Sequence, residues 1–293
     1  MDDAHPKRDR AAERDAAQAE LALAGVLAGG GTSAPMGPPS ALRFQFRVLK
    51  ALVLRDIAAK YSTSRLGYLM GIILPILSIS VLMVAFSMRG KVVPADFSMG
   101  AFLITGYPLW QAFQGMYSRV MGAASRTDPL LMFPQITQLD LIFATMILEF
   151  STNTIVYVIM VIGVLVIFQD APPVDPVGVM LCYWACAWIG AALGLILCGV
   201  MRVAPTIVTI INTFMRFGMW MSGVIFAVTR LPTWTWPYLK WNPLLHCIEG
   251  ARHLWQPTFD APIFDPAYII SVGFVLTTLG FVLERITRRF VGP

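Results

Sequence analysis

Six stretches of the chain are apolar for roughly the length of a bilayer crossing, with polar residues gathered between them. They run approximately Leu66–Met88, Gly100–Met121, Leu141–Phe168, Val177–Met201, Thr206–Val228 and Ala267–Leu283. A spanning helix needs about 20 apolar residues, so the pattern predicts an all-α membrane protein of six transmembrane helices. The last stretch is the shortest and is expected to extend toward Phe264. Pro75 and Pro108 fall inside the first and second stretches, and a proline in a helix interior removes a hydrogen bond, so each predicts a kink or local irregularity.

Ahead of the first stretch, Leu42, Phe46, Leu49, Val53 and Ile57 recur at helical spacing, with Arg43, Arg47 and Lys50 along the flank. This predicts an amphipathic helix over 41–61, its apolar face in the acyl boundary and its basic groups at the headgroups. Pattern alone does not separate a plain anchor from a lever that touches a cytoplasmic partner. The reading divides the chain into a tail and linker over 1–40 and a transmembrane domain over 41–293. The tail mixes charges with alanine and ends in GGGTSAPMGPP, which predicts a disordered cytoplasmic segment. Its apolar run Leu21–Ala28 does not read as a signal peptide, because Asp2, Asp3, Asp9, Glu13, Asp15 and Glu20 stand where a basic leader is required.

Composition agrees with the pattern. The 293 residues are 57% hydrophobic and 13% charged, against about 25% charged in soluble domains, and the mean hydropathy is +0.67. A formal charge of +5 would suit nucleic acid in a soluble chain. Here it reads as basic cytoplasmic loops beside anionic membrane lipid. With the N-terminus inside, Arg43, Arg47, Lys50, Arg55, Lys60, Arg65, Arg119, Arg126, Arg202, Arg285, Arg288 and Arg289 fall on the cytoplasmic side. Arg89, Lys91, Arg230, Lys240 and Arg252 fall outside. Twelve against five places both termini in the cytoplasm. Cys182, Cys186, Cys198 and Cys247 show neither a disulfide framework nor metal-ligand spacing.

Chemistry concentrates in a few places. The segment Arg119–Asp140 contains Asp128-Pro129 and Phe133-Pro134, which predicts a short cytoplasmic element, either a socket for a motor protein or a simple connection. The outer segment Thr229–Asp265 gathers Trp234, Trp236, Tyr238 and Trp241 between prolines. Such rings suit an aromatic belt anchoring short re-entrant helices, or a platform for sugar faces at an outer exit. His246, Glu249 and Arg252 are spaced by three and share a helix face. No second catalytic carboxylate or nucleophile motif accompanies them, so a structural network is the better reading than a hydrolase site. Glu149 and Arg216 lie within the third and fifth stretches. A charge at that depth costs about 2.5–3.5 kcal/mol on insertion scales, so each is expected to face the bundle or a wet route, as a mutual pair or apart. No phosphate-binding G-x-x-x-x-G-K-[ST] loop occurs, so ATP-driven work would be performed by another subunit.

Two segments carry a resemblance. LVLRDIAAKYSTSRLGYL…LP at Leu52–Pro75, with Arg55, Tyr61, Arg65, Leu66, Gly67, Tyr68 and Pro75, resembles the entry to the first span in ABC-2 type polysaccharide export permeases. KWNPLLHCIEGARHLW at Lys240–Trp255, with Asn242, Pro243, His246, Glu249 and Arg252, resembles the outer-loop signature of the same family. Pro134, Asp140 and Glu149 in the connecting region look similar too. The likeness runs from about Leu42 to the C-terminus and is strongest to the capsular polysaccharide branch. O-antigen and teichoic-acid permeases share the architecture. Met70-Gly71 departs from the tryptophan common in the family, so no aromatic role is carried over there.

The resemblance implies a homodimer in a bacterial inner membrane, each copy coupled to an ATP-binding subunit that holds the ATP and magnesium, this chain binding no cofactor or metal. Arg126, Asp128, Pro129, Phe133 and Pro134 would form the coupling element. A lipid-linked polysaccharide would enter near Arg55, Lys60 and Arg65 and pass Glu149, Arg216, Trp220, Phe226 and the outer aromatics. Asn242, His246, Glu249 and Arg252 would form an outer gate facing a periplasm-spanning export partner. A membrane enzyme acting on lipid-linked glycans and a drug- or ion-translocating permease are the competing classes.

Overall fold

The computed structural model describes residues 46–56, 73–74, 77–82, 84, 97–125 and 137–291. Among the described residues all regular structure is helical: α1 (46–56), α2 (Met99–Ile104), α3 (Tyr107–Ser125), α4 (Gln138–Phe168), α5 (Pro176–Val203), α6 (Pro205–Met221), α7 (Trp236–Leu239), α8 (Pro243–Trp255) and α9 (Pro266–Val291). Residues 73–74, 77–82 and 84 of the first apolar stretch are helical as well. Among the described residues three helices are long and apolar enough to cross a membrane, over Gln138–Ile167, Pro176–Val203 and Pro266–Thr287. The chain forms two compact units, Met1–Ile73 with Arg126–Leu148, and Leu74–Ser125 with Glu149–Pro293.

In the first unit α1 packs through Val48 and Leu52 onto Leu141 and Ala144 at the start of α4. Phe46, on the expected lipid-facing stripe, remains exposed. The start of α4 is fixed by a reciprocal cap: the Thr137 backbone N–H and hydroxyl donate to the Asp140 carboxylate at 2.8 and 2.7 Å, and the Asp140 N–H donates back to the hydroxyl at 3.3 Å. Two otherwise orphaned donors are thereby satisfied.

The second unit is organised around α5, which packs against α3, α9 and α8. Its buried face is built from small residues, including Gly190, Ala191, Ala192 and Gly194. A Cβ at Gly190 would collide with the Phe113 carbonyl oxygen, and one at Gly194 would stand 2.7 Å from the Tyr117 carbonyl oxygen. Bare backbone thus lets α3 and α5 meet, as a small-xxx-small seam allows in lipid. Deeper along α5, Tyr183 stacks on Tyr157 of α4 with centroids 4.1 Å apart, and Trp188 meets Phe274 edge-on while its indole N–H donates to Thr277 at 3.1 Å. Arg202 and Glu284 pair at 3.8 Å between α5 and α9. By contrast Ile155, Ile162, Val166 and Ile167 of α4, and Ile270, Phe274, Val275 and Leu279 of α9, are exposed. Aliphatic faces of that extent suit lipid contact.

Several expected boundaries shift. The second stretch is not one helix: α2 ends at Ile104, a turn occupies Thr105 and Gly106, and α3 begins at Tyr107. Pro108 supplies no N–H to the Ile104 carbonyl, so the break falls where the proline predicts it. The fifth stretch ends as a helix at Met221 rather than near Val228, because Gly223 takes a φ of +76° that only glycine adopts without strain. The last helix is longer than expected, from Pro266 to Val291. Its start is set by Asp265, whose carboxylate accepts from the Ala267 and Tyr268 N–H groups at 2.9 and 3.3 Å. Between α6 and α9 the chain forms 3-10 turns at Val228–Arg230 and Thr233–Thr235, followed by α7 and α8.

The α3–α5 seam is testable. Replacing Gly190 or Gly194 by valine should cost about 1–3 kcal/mol or more of stability through overpacking, read as a lower thermal midpoint in detergent. Gly163→Ala, where nothing lies within 4 Å of an added Cβ, should leave the midpoint unchanged.

Candidate functional site

The chemistry of the segment 229–265 centres on α8. Its start follows from the Asn-Pro pair: the Asn242 side-chain oxygen accepts from the Leu244 N–H at 3.1 Å, and Pro243 takes the first helical position, where a missing N–H costs nothing. The Asn242 amide nitrogen donates to the Met221 carbonyl at the end of α6, at 3.1 Å. At the other end, the Val174 and Asp175 N–H groups donate to the Trp255 and Leu254 carbonyls, both at 3.0 Å. The helix is buried nearly throughout.

Inside it Glu249 and Arg252 pair at 3.1 Å, both side chains wholly buried. The Arg252 guanidinium donates to the Phe226 carbonyl at 3.0 Å and to the Val224 carbonyl at 3.3 Å, and lies 3.7 Å over the Phe102 ring. The Glu249 carboxylate also accepts from the Val228 N–H at 3.4 Å. A Cβ at Gly106 would come within 3.1 Å of the guanidinium, so that glycine leaves it room. One ion pair therefore holds the irregular chain after α6 against α8 and α2. Burial pushes the Glu249 carboxyl up and the Arg252 guanidinium down to about 10, and the attraction between them opposes both shifts.

His246 does not join this pair, although the spacing puts it on the same face. Its Nδ1 accepts from the Asp265 N–H at 3.2 Å, which leaves the proton on Nε2 to donate to the Lys240 carbonyl at 2.9 Å. The ring lies 4.7 Å from that of Tyr268. Burial holds its pKa below the usual histidine value, with the Lys240 carbonyl and Asp265 opposing.

The aromatics of the segment 229–265 divide into two groups. Trp236 is turned inward with Phe226 and Leu239, packed on Val228, Leu245 and Ile263. Trp234, Tyr238 and Trp241 are exposed, as is Trp220 on α6. A cavity of about 610 Å³ lies beside Trp241, lined also by Lys240, Asp265 and Tyr268.

Glu149 is buried and faces Arg119 of α3 at 3.6 Å. Sequence pattern did not foresee this partner, since Arg119 reads as a loop-side charge. Arg216 lies on α6, its side chain outside what is described. Arg55 bonds the neighbouring Asp56 at 2.9 Å. Lys60, Arg65, Arg126, Asp128, Pro129, Phe133 and Pro134 lie outside the described residues.

Residues 47–255 match the family model described as ABC-2 type transporter. The chain belongs to this family. As an ABC-2 chain it is similar to the capsule polysaccharide export inner-membrane protein BexB of Haemophilus influenzae, 30% identical over 257 residues, covering 86% of this chain and 95% of the relative. It is 27% identical over 252 residues to the capsule polysaccharide export inner-membrane protein CtrC of Neisseria meningitidis serogroup A, with the same coverage of 86% and 95%. The polysialic acid transport protein KpsM of Escherichia coli is 24% identical over 246 residues, 84% of this chain and 95% of that one. The family region includes both α8 and the Arg119–Glu149 pair.

Two outcomes test the α8 geometry. Arg252→Gln should destabilise the folded protein by about 3–5 kcal/mol, because it strands a buried carboxylate. A Glu249→Leu/Arg252→Met double variant should lose less than that single variant, both read as thermal midpoints. His246, with a depressed folded pKa, contributes stability that is present above its ordinary value of about 6.5 and lost as pH falls below it. The midpoint should therefore drop between pH 7 and 5, and His246→Asn should flatten that dependence.

Proposed function

We propose that this chain is the permease subunit of an ATP-driven exporter that carries capsular polysaccharide outward across the inner membrane. The observation that carries the reading is the similarity, at 24–30% identity over most of the chain, to capsule export inner-membrane proteins and a polysialic acid transport protein. In this reading the exposed aliphatic faces of α4 and α9 meet lipid. Six spans cross the bilayer with both termini in the cytoplasm, as the excess of lysine and arginine on that side favours. The turns and helices α7 and α8 dip back into the outer leaflet as a re-entrant element. Residues 1–40 form a cytoplasmic tail ahead of the transmembrane domain.

ATP and magnesium sit on a separate ATP-binding subunit, since this sequence carries no phosphate-binding loop. That subunit engages the interfacial helix and the segment with Arg126, Asp128, Pro129, Phe133 and Pro134. Two copies of the permease pair around a lipid-linked chain. Arg55, Lys60 and Arg65 greet its head, and Trp220, Phe226 and the exposed Trp234, Tyr238 and Trp241 stack on sugars nearer the exit. The Glu249–Arg252 pair braces the outer gate, where a periplasm-spanning export partner docks.

The test is genetic and biochemical together. Deleting the chain should abolish surface polysaccharide, leave polymer inside the cell and leave drug susceptibility unchanged, while the purified protein copurifies with an ATPase subunit. Normal surface polysaccharide after deletion, or glycan-processing activity by this chain alone, would overturn the reading.

A further inference from the structure

Between α3 and α4 lies a cavity of about 410 Å³ that the outer-segment chemistry does not use, within the usual range of about 300–1,000 Å³ for ligand sites. Tyr107, Gln111, Gln114 and Ser118 of α3 line it. Their offsets of four, seven and eleven residues put them on one face of the helix. At 1.5 Å per residue the stripe is about 16 Å long, more than half of a bilayer core of about 30 Å. Asn153 and Glu149 face it from α4.

A polar stripe of that length has no place against lipid, and the protein itself satisfies only part of it. The Gln111 amide donates to the Tyr107 hydroxyl at 3.1 Å, and the Ser118 hydroxyl donates to the Gly115 carbonyl at 3.1 Å. The carboxamides of Gln114 and Asn153 make no hydrogen bond to any described residue. Gly115 lies beside them, where an added Cβ would stand at an ordinary contact distance of 3.7 Å from the Asn153 amide nitrogen.

The charge pattern narrows what fits. Arg119 and Glu149, 3.6 Å apart at one end, offset each other. What remains along the groove is a row of carboxamides and hydroxyls, each able to donate and accept, beside the rings of Trp110 and Tyr183. That combination recognises neutral groups bearing both a donor and an acceptor, such as ring hydroxyls and N-acyl groups, and among the described residues the lining adds no cation beyond Arg119.

We propose that the α3–α4 groove is a binding track for the neutral, hydroxyl-bearing faces of sugar units, with Gln111, Gln114, Ser118 and Asn153 as its contacts. The inference rests on the exporter reading and adds a second sugar-contacting surface, inside each copy, to the outer aromatics.

The test uses the full complex with its ATPase subunit in cells that do or do not synthesise the polymer. Asn153→Cys should react with a water-soluble maleimide when no polymer is made, and several-fold more slowly when polymer is in transit. The four native cysteines are buried and give a low background. Gln114→Leu/Asn153→Leu should lower export about tenfold, as expected for two lost hydrogen bonds, with ATPase copurification unchanged. Gln114→Ser/Asn153→Ser, which keeps hydroxyls, should recover most of it. Labelling that ignores the polymer, or that fails in both hosts, overturns the track, as does export by the leucine variant at the wild-type rate. Failure of the wild-type complex to export any polymer overturns the exporter reading instead.

Discussion

Apolar helices gain little from meeting each other in a bilayer, because lipid tails are as apolar as leucine. What holds such helices together is close contact, and in the second unit that contact is concentrated on α5. Gly190 and Gly194 bring its backbone against the Phe113 and Tyr117 carbonyls of α3, and Gly273 of α9 leaves room for the Trp188 ring. With α3 and α9 seated on α5, and the Tyr157–Tyr183 stack joining α4, the remaining elements of this unit have fixed surfaces to pack on. The position of α8 follows from that arrangement, since it too packs on α5.

Polar groups enter this apolar frame at few points, and each is compensated differently. Arg252 exchanges hydration for one carboxylate, two backbone carbonyls and an aromatic face. Burial still draws its pKa down to about 10, far enough above neutrality to keep it charged. Glu149 and Arg119 offset each other at one end of a groove. The carboxamides of Gln114 and Asn153 are the exception, uncharged and without a described hydrogen-bond partner, so that a hydroxyl-rich chain in the proposed track would complete them without a charge having to be stripped of water.

Much of the architecture was legible in the sequence because hydrophobic length is a coarse and robust signal. Pro108 marked the break between α2 and α3, whereas Asn242-Pro243 stood out only through the family likeness and its role in starting α8 came from the structure. The end of α6 was not readable: Val224 and Phe226 continue the apolar run, and only the left-handed backbone at Gly223 stops the helix. Spacing placed Glu249 beside Arg252 correctly, yet the same spacing put His246 with them, whereas its ring turns to Lys240 and Asp265. The Arg119 partner of Glu149 and the acceptors at Val224 and Phe226 depend on tertiary approach, which no local pattern encodes. The aromatic cluster was visible as composition, but its division into an inward Trp236 and outward Trp234, Tyr238 and Trp241 is set by which rings find Val228, Leu245 and Ile263.

The single side chain of Asn242 spans two helices: its oxygen starts α8 while its nitrogen holds the last carbonyl of α6. A twist of α6 about its own axis would swing the Met221 carbonyl sideways, and the amide must then either tow the first turn of α8 or let go. Short, with only two rotatable bonds, that linkage acts as a crank pin between α6 and α8. A displacement of the Met221 end of α6 would thus be felt first at the opening turn of α8.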